Sequence, residues 1–178
     1  MNPVAPWPAG SLRIEALGQG HDRGAFACGV DPLDRYIRQQ ASQDMRRVTA
    51  RVFVAVSAEH PDRILGYYNL SAATIAAGDL PSDVTKRLPR YPVPAALVGR
   101  LAVDRTAARR GLGSLLLADA VKKTMLAAQT VAMTVIAVDP IDDAARRFYE
   151  AFGFRSLLGP ERRMFLSLPP SNNPGPEG

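Results

Sequence analysis

The segment from residue 101 to residue 114 has the composition of a strand, a short basic loop with two glycines, and the start of a helix. The first N–H groups of a helix have no partner within the helix, and together with the helix dipole they attract an anion. We predict that the anion is the diphosphate of a nucleotide-containing cofactor. The residues expected to bind this cofactor are Leu101, Ala102, Val103, Arg109, Arg110, Gly111, Leu112, Gly113 and Ser114.

A second segment that could do chemistry carries a tyrosine on a predicted helix. Asp142, Ala145 and Tyr149 follow the spacing i, i+3, i+7, which places them on one helical face. Phe148 and Phe152 lie on another face and are expected to pack in the core. Spacing alone leaves two interpretations of Tyr149 open, and the first is that its side chain points into a functional site. The alternative is an ordinary tyrosine at the edge of the core with a hydrogen-bonded hydroxyl.

The elements that must position these segments alternate between strands and helices. Apolar residues at helical spacing predict helices, and β-branched or alternating runs predict strands. We expect strands at 11–16, 51–57, 64–75, 95–103 and 131–138, a final hairpin over 155–168, and helices over 31–48, 111–128 and 141–152. The order β-α-β-β-β-α-β-α-β predicts an α/β (α+β) fold with a mixed central β-sheet flanked by helices.

Two of the predicted helices carry specific expectations. Asp31 is suited to cap the first helix and Pro32 to stand at its first turn, and the apolar spacing of that helix continues to Val48. The buried side of the helix over 111–128 is expected to hold Leu112, Leu115, Leu116, Ala120, Val121 and Met125.

The length of 178 residues suits one domain, which we place at residues 11–168. The Pro-, Gly- and Asn-rich ends, 1–10 and 169–178, are predicted to be disordered tails. Cys28 is the sole cysteine, so no intrachain disulfide can form, and a reducing, cytoplasmic setting is the simplest interpretation. The first ten residues lack a basic segment followed by an apolar run, so we expect no signal peptide, and no apolar run approaches the roughly 20 residues that cross a bilayer.

The net charge is +5 and the pI is about 9.8. A basic balance of this size fits either an ordinary soluble protein or one with a polyanionic partner such as nucleic acid, and charge alone does not separate the two. No cluster of His, Cys and carboxylate residues at ligand spacing predicts a metal site.

Both segments resemble the motifs of the GNAT superfamily of N-acetyltransferases. Gly111 and Gly113 match the acyl-CoA-binding pattern Gln/Arg-x-x-Gly-x-Gly/Ala, although Ala108 stands at its first position. The later pattern, Asn-x-x-Ala-x-x-x-Tyr-x-x-x-Gly-Phe, is similar to the run from Asp142 to Phe154, with aspartate in place of asparagine. The resemblance implies a GNAT fold, acetyl-CoA as acetyl donor, and Asp142 as a further cofactor contact.

The same resemblance implies a division of roles in acyl transfer. Tyr149 would be the acid that donates a proton to the departing thiolate. A backbone amide near Ala102 or Val103 would stabilise the charge on the carbonyl oxygen.

A third resemblance narrows the class. The run Phe26-x-Cys28-Gly-x-x-x-Leu33 is similar to a segment of the GNAT toxins of type II toxin–antitoxin modules, as are residues 66–71 and 88–94. It implies acetylation of the α-amine of aminoacyl-tRNA, which blocks translation, together with a ribbon-helix-helix antitoxin and a homodimer. The candidate tRNA contacts are Arg46, Arg47, Arg51, Lys86, Arg87, Arg90, Lys122 and Lys123.

The amine chemistry is compatible with this substrate. An α-amine has a pKa near 8 and a lysine side chain one near 10.4, so a far larger fraction of the α-amine is already unprotonated at neutral pH. Such a substrate needs no strong dedicated base, and neither His21 nor His60 is expected to be one. Cys28 is interpreted as structural. Two alternatives stay open: a GNAT enzyme for a small amine or a protein N-terminus without toxin activity, and a non-catalytic acyl-CoA- or nucleic-acid-binding module.

Overall fold

The computed structural model of the chain describes residues 7–88, 90–159 and 162–170, and it confirms the predicted fold class of a mixed β-sheet with flanking helices. The strands in these ranges are β1 (Leu12–Ala16), β2 (Arg51–Ser57), β3 (Gly66–Ile75), β4 (Val93–Val98), β5 (Leu101–Val103), β6 (Val135–Val138), β7 (Arg155–Ser156) and β8 (Met164–Ser167). The α-helices are α1 (Asp31–Arg35), α2 (Ala41–Arg46), α3 (Ser82–Thr85), α4 (Leu112–Ala127) and α5 (Asp143–Phe152).

The chain divides into two compact units, one made of residues up to 72 and residues 97–120, the other of residues 73–96 and those from 121 onward. The predicted disordered tails fall largely on 1–6 and 171–178, which lie outside the described residues, so the tails and the domain bounds stay predictions. In the described ranges no helix is both long and apolar enough to cross a lipid bilayer.

The sheet of the first unit is built by antiparallel pairing. β1 pairs with β2, β2 with β3, and β5 with β3. In the last pair Tyr67 stands opposite Ala102 and Gly66 stands opposite Val103. Since side chains alternate between the faces of a strand, Tyr67 and Ala102 share one face of the sheet, and Gly66 and Tyr68 occupy the other.

The face that carries Tyr67 is covered by the helical segment 31–46. A π-helical turn, Tyr36–Gln40, lies between α1 and α2, so the predicted helix over 31–48 is helical from 31 to 46 with a π-bulge inside it. Tyr36 and Ile37 are buried, and the Tyr36 ring stacks on Tyr67 with 6.0 Å between centroids. Phe26 packs edge-on against the same tyrosine at 5.3 Å.

The ends of this helical segment also differ from expectation. Val30 is the N-cap residue, and Asp31 is the first helical residue, with no side-chain hydrogen bond that caps the helix. The carboxylate of Asp34 instead accepts a hydrogen bond from the Cys28 N–H at 2.8 Å, which fixes the chain ahead of the helix. Val48 lies beyond the end of α2 with a positive φ of 58° and is 69% exposed, so it takes no part in the core.

The opposite face of the first unit packs against α4. Leu112 and Leu116 are buried there, and the Tyr68 hydroxyl donates to the Asp119 carboxylate at 2.7 Å. The predicted buried stripe of this helix is correct in part: Leu115 and Met125 are 46% and 42% exposed, and buried Leu117 and Thr124 were not included. The buried face of α4 is therefore rotated about the helix axis relative to the face predicted from the spacing of apolar residues.

The predicted strand over residues 95–103 is interrupted at Gly99 and Arg100. The side chain of Asn69 causes the break, because its Oδ1 accepts the Arg100 N–H at 2.7 Å where a strand carbonyl would otherwise do so. A Cβ at Gly99 would lie 3.2 Å from that oxygen, so the small residue makes room for the amide. β4 therefore ends at Val98, and β5 starts as a separate strand of three residues.

The second unit has its own strands and helices. β8 pairs antiparallel with β6 and with β7, and every residue of β6 is buried, as the apolar run at this point of the sequence predicts. The bidentate pair of Arg155 with Asp83 joins β7 to α3 at 2.8 and 3.1 Å.

We expect Gly66→Ala to lower the free energy of unfolding by about 1–3 kcal/mol. A Cβ at this buried position would lie 2.8 Å from Leu116 Cδ1 and 3.0 Å from the Ala102 carbonyl oxygen, and the backbone oxygen cannot move aside cheaply. Urea unfolding measures the effect. Gly20→Ala is the matched control, because no atom lies within 4 Å of its added Cβ; equal stability of both variants would contradict the packing described.

Candidate active site

The short strand β5 has one paired edge. Asp104 N donates to the Leu65 carbonyl at 2.8 Å, and the register then makes Ala102–Tyr67 the next hydrogen-bonded pair. Hydrogen-bonded and non-hydrogen-bonded pairs alternate in an antiparallel ladder, so the N–H groups of Leu101 and Val103 point away from β3. In the described ranges β5 pairs with no other strand. Of the two amides named from the sequence, Val103 is therefore the one available to a ligand.

The turn that follows β5 is organised by a buried carboxylate. Asp104 accepts hydrogen bonds from Ala27 N at 2.9 Å, Thr106 N at 2.9 Å and Thr106 Oγ1 at 2.6 Å. Burial alone would raise the pKa of Asp104, but these hydrogen bonds outweigh it and hold the pKa below its usual range. The charged carboxylate therefore fixes the chain where it leaves the strand.

The loop before α4 uses left-handed backbone at two positions. Arg109 has φ 63° and Gly111 has φ 77°, and nothing lies within 4 Å of a Cβ built on Gly111. The glycine is therefore required by its backbone angle and not by lack of space. The N–H groups of Gly111, Leu112 and Gly113 form no hydrogen bond with any described residue, as the first amides of a helix are expected to.

The side chains of this loop differ in what they offer a ligand. Arg109 and Ser114 are exposed, whereas Leu112 is buried against the sheet, which leaves only its amide for a ligand. The guanidinium of Arg110 lies over the ring of Trp7, 3.5 Å from its centroid. This contact with the chain's only tryptophan could not be predicted from the sequence, because the two residues lie far apart in the chain and belong to no shared pattern.

Helix α5 in the second unit is defined by its two caps. Asp142 is the N-cap residue, and its carboxylate accepts the Ala145 N–H at 2.8 Å. Gly153 ends the helix in the left-handed region with φ 109°, and Phe154 N then donates to the Tyr149 carbonyl at 3.0 Å. The interval from Asp142 to Phe154 therefore spans one capped helix. In this geometry Asp142 is its N-cap residue.

Tyr149 is buried on α5 with a hydroxyl that stays unused. Its residue is 5% exposed, and its ring packs edge-on against Phe148 at 5.2 Å and Phe154 at 5.6 Å. The hydroxyl makes no hydrogen bond in the described ranges, nor is it among the fully enclosed polar atoms that lack a partner. Burial, and then the charge of Asp139, raises the pKa of Tyr149 above its ordinary value. The phenol is therefore a free donor that stays protonated.

The basic candidates divide between the two units. Arg46 and Arg47 lie at the end of α2 and Arg51 starts β2, all exposed in the first unit. In the second unit all but half-buried Lys123 are exposed: Lys86, Arg87, Arg90, Lys122 and Lys123. Lys86 and Arg87 line an open groove of about 800 Å³ together with Asp83 and Arg155 of this unit.

The other candidate side chains have structural roles. The His21 ring accepts from Gly18 N at 2.9 Å and contacts Glu15 Oε1 at 2.8 Å, so both nitrogens are engaged. Burial, together with the neighbouring Asp34, raises the pKa of Cys28 to about 11, which makes its thiol a poor nucleophile. Across the described ranges no three His, Cys, Asp or Glu residues are grouped as metal ligands.

The family model described as an acetyltransferase (GNAT) domain matches residues 49–156. The chain belongs to the GNAT acetyltransferase family. This match includes the loop before α4 and all of α5, so the GNAT domain contains both the segment 101–114 and the segment from Asp142 to Phe154.

The relatives of this GNAT chain include named toxins. A tRNA-acetylating toxin of Mycobacterium tuberculosis (strain ATCC 25618 / H37Rv) is 36% identical over 152 residues, which cover 85% of this chain and 88% of that protein. A probable toxin TacT of Sinorhizobium fredii (strain NBRC 101917 / NGR234) is 26% identical, over 83% of this chain and 86% of that protein.

Solved structures share the GNAT fold closely. A tyrosine-to-phenylalanine mutant of KacT has a TM-score of 0.83 at 26% identity, covering 88% of this chain and 95% of that one. AtaT complexed with acetyl-methionyl-tRNAfMet has a TM-score of 0.82 at 28% identity, covering 88% and 94%. AtaTR bound with AcCoA has a TM-score of 0.77 at 27% identity, with the same coverages.

We expect Asp104→Asn to destabilise this GNAT domain by about 1–3 kcal/mol at neutral pH, because an amide cannot accept all three hydrogen bonds. A depressed carboxyl pKa stabilises the fold above the unfolded value of about 3.9, and the contribution disappears as the pH falls through the folded value. The difference between wild type and variant should therefore shrink below pH about 4. Urea titrations at several pH values measure it, with exposed Asp62→Asn as control; a difference that grows on acidification would contradict this account.

Proposed function

We propose that this enzyme transfers the acetyl group of acetyl-CoA to the α-amino group of aminoacyl-tRNA, and that it acts as the translation-blocking toxin of a type II toxin–antitoxin system. One observation carries the proposal: 36% identity to a tRNA-acetylating toxin, extending over 85% of this chain. The fold neighbour AtaT, complexed with acetyl-methionyl-tRNAfMet, supports the same substrate class.

Acetyl-CoA is the acetyl donor, as in the AtaTR structure bound with AcCoA. The free amides of Gly111, Leu112 and Gly113 at the start of α4 are suited to its diphosphate, since they combine unpaired donors with the positive end of a 16-residue helix. The exposed guanidinium of Arg109 adds a charge beside them. Asp142 is a weaker candidate for coenzyme contact, because its carboxylate already caps α5.

The acyl transfer needs a donor for the carbonyl oxygen and an acid for the leaving sulfur. We assign the first role to the N–H of Val103, which the register of β5 turns away from its partner strand. We assign the second role to Tyr149, whose hydroxyl has no competing hydrogen bond in the described ranges and whose pKa is raised. The amine nitrogen forms the new bond to the acetyl carbon as the carbon–sulfur bond breaks, the phenol gives its proton to the departing thiolate of coenzyme A, and the proton lost by the nitrogen restores the phenol.

The low pKa of the acceptor amine makes a dedicated catalytic base unnecessary. An α-amine has a pKa near 8, and at neutral pH about a tenth of it is already neutral. The engaged ring of His21 and the thiol of Cys28, with its pKa raised to about 11, offer no base at neutral pH. A substrate with a low amine pKa therefore suits this chain better than a lysine side chain.

The tRNA phosphates are assigned to the basic residues of both units. Each phosphate contact releases counterions, so the affinity should fall with salt in proportion to the number of contacts. The three arginines at the α2–β2 turn and the exposed cations around α3 are the candidates with the greatest access to a long polyanion.

The partner of this toxin would be a ribbon-helix-helix antitoxin, and the active form a cytoplasmic homodimer. A further fold neighbour is an AtaT mutant bound to the C-terminus of the antitoxin AtaR, with a TM-score of 0.76 at 25% identity and coverage of 88% of this chain and 93% of that one. A neighbouring reading frame for a small ribbon-helix-helix protein, with relief of toxicity on co-expression, is the corresponding test.

The decisive experiment incubates the purified protein with labelled acetyl-CoA and bulk charged tRNA. We expect label on the aminoacyl group, released as N-acetyl amino acid by mild alkali, and none on deacylated tRNA. The rate at subsaturating tRNA should fall steeply between 50 and 200 mM salt. Label on small amines or peptide N-termini, with none on charged tRNA, would instead favour a GNAT enzyme without toxin activity, and absence of any transfer would favour a non-catalytic module.

Tyr149→Phe should lower turnover about 10²- to 10⁴-fold and leave the affinity for acetyl-CoA unchanged, because it removes the acid alone. The hydroxyl makes no hydrogen bond in the described ranges, so the thermal stability should also stay the same. Turnover of charged tRNA and calorimetric titration with coenzyme A measure the two quantities. Tyr91→Phe, at a tyrosine that is 65% exposed, is the matched control; wild-type turnover in the Tyr149 variant would remove that residue from the mechanism.

A further inference from the structure

Arg100 is a half-buried arginine at the break between β4 and β5, directly before the strand proposed to polarise the acetyl group. Its guanidinium carbon lies 4.1 Å above the centre of the Tyr36 ring. The Arg100 guanidinium forms no hydrogen bond and no ion pair in the described ranges. None of its guanidinium nitrogens is among the fully enclosed polar atoms that lack a partner, so in the described ranges the donors of Arg100 are open to solvent and unused.

The surroundings hold this guanidinium in one place. Asn69 fixes the Arg100 backbone on both sides, since Asn69 N donates to the Arg100 carbonyl at 3.0 Å and Asn69 Oδ1 accepts the Arg100 N–H at 2.7 Å. Asn69 Nδ2 also donates to the Tyr36 hydroxyl at 3.1 Å, and that hydroxyl donates to Asp44 at 2.9 Å. The ring under Arg100 is thus oriented by two hydrogen bonds.

The neighbouring carboxylates do not neutralise Arg100. Asp44 accepts the hydroxyl of Tyr36, and Asp34 accepts the backbone of Cys28 and Gly29. Neither forms an ion pair with Arg100 within the described ranges. A planar fork of N–H donors with no carboxylate in place is suited to a ligand with two anionic oxygens, such as a phosphate ester.

The face on which Arg100 lies separates it from the coenzyme loop. Arg100 stacks on Tyr36, so it shares the sheet face of Tyr67 with the helical segment 31–46. The helix whose N-terminal amides are assigned to the coenzyme diphosphate, α4, packs on the opposite face against Gly66 and Tyr68. The ligand of Arg100 is therefore expected to be the acceptor substrate and not the diphosphate of the coenzyme.

A continuous set of contacts also joins Arg100 to the exposed arginines of the α2–β2 turn. The Asp44 carbonyl accepts Thr49 N at 2.9 Å and Ala50 N at 3.5 Å, which closes that turn. Arg51 stands opposite Leu70, so its side chain lies on the other face of the sheet from Asn69 and Arg100. The exposed cations on the Arg100 side are therefore Arg46 and Arg47, at the end of the helical segment that covers this face.

We propose that Arg100 is a substrate-positioning residue that binds a phosphodiester near the 3′ end of the acceptor tRNA and thereby aligns the aminoacyl ester with the acetyl group. This inference rests on the proposed function and adds a specific phosphate site to it. The surface arginines bind the polyanion as a whole, whereas Arg100 fixes the terminal nucleotide in register with β5.

The test compares Arg100→Met and Arg100→Lys with wild type on two acceptors, charged tRNA and an amino acid methyl ester that carries no phosphate. With charged tRNA, KM should rise about 10- to 100-fold in Arg100→Met. The lysine variant keeps the charge but loses the fork, so its KM should lie in between. With the methyl ester, kcat/KM should stay within about twofold of wild type, and the KM for acetyl-CoA should not change. The slope of log KM against log salt concentration should fall by about 1, which corresponds to the loss of one phosphate contact.

Arg13→Met is the control for net charge, since Arg13 is exposed on β1 and contacts only Glu15, at 3.7 Å. If Arg100→Met does not fold, as judged by circular dichroism, Arg100→Lys alone decides, because a wild-type KM for tRNA in that variant would overturn the proposal. A rise in the KM for acetyl-CoA without one for tRNA, or an equal loss with the methyl ester, would also overturn it. Failure of the wild-type protein to acetylate charged tRNA at all would refute the proposed function instead, before any variant is compared.

Discussion

The first unit depends on one constraint, which is the short length over which β5 pairs with β3. β5 is three residues long and is paired on one edge in the described ranges, so every second amide faces away from the sheet. At one end the side chain of Asn69 takes the hydrogen bond that a carbonyl would have taken, and the strand breaks. At the other end Asp104 gathers three donors and turns the chain into the loop before α4. A longer, doubly paired strand would leave neither a free amide nor a turn at this point.

The second unit keeps the hydroxyl of Tyr149 protonated and, in the described ranges, without a hydrogen-bond partner. Helix caps at Asp142 and Gly153 set the length of α5 and bring Phe154 back against Tyr149. The apolar rings desolvate the phenol, and the charge of Asp139 opposes its ionisation further. Asp139 is itself held by the bidentate guanidinium of Arg163, at 2.7 and 3.0 Å. A phenol with a raised pKa stays protonated at neutral pH, so its O–H is available as a donor to negative charge that develops beside it.

Those parts of the site that are encoded by local spacing could be predicted from the sequence. Two such features depend only on residues that are close together in the chain. They are the strand–loop–helix order at 101–114 and the seven-residue interval from Asp142 to Tyr149, and the structure contains both. The contacts of Asn69, Trp7 and Arg100 could not be predicted, because each joins residues about 30 or more positions apart and none belongs to a periodic pattern. The same reason explains the strand break at Gly99. The error at Leu115 is of another kind: an apolar residue at nearly the right helical angle is exposed, because the tertiary contacts of α4 fix a face slightly different from the one that spacing favours.

The positions of the arginines determine how a long substrate can be aligned with a small reaction centre. Exposed arginines such as Arg46 and Arg47 have long, mobile side chains, and their attraction for a polyanion is screened within about 8 Å at physiological salt. Such charges can gather tRNA but cannot fix one ester to within a fraction of an ångström. Alignment requires a cation whose own position is determined, and stacking on a ring that is itself hydrogen-bonded provides it for Arg100. In the proposed function affinity and alignment are assigned to different arginines, so the two can be altered separately.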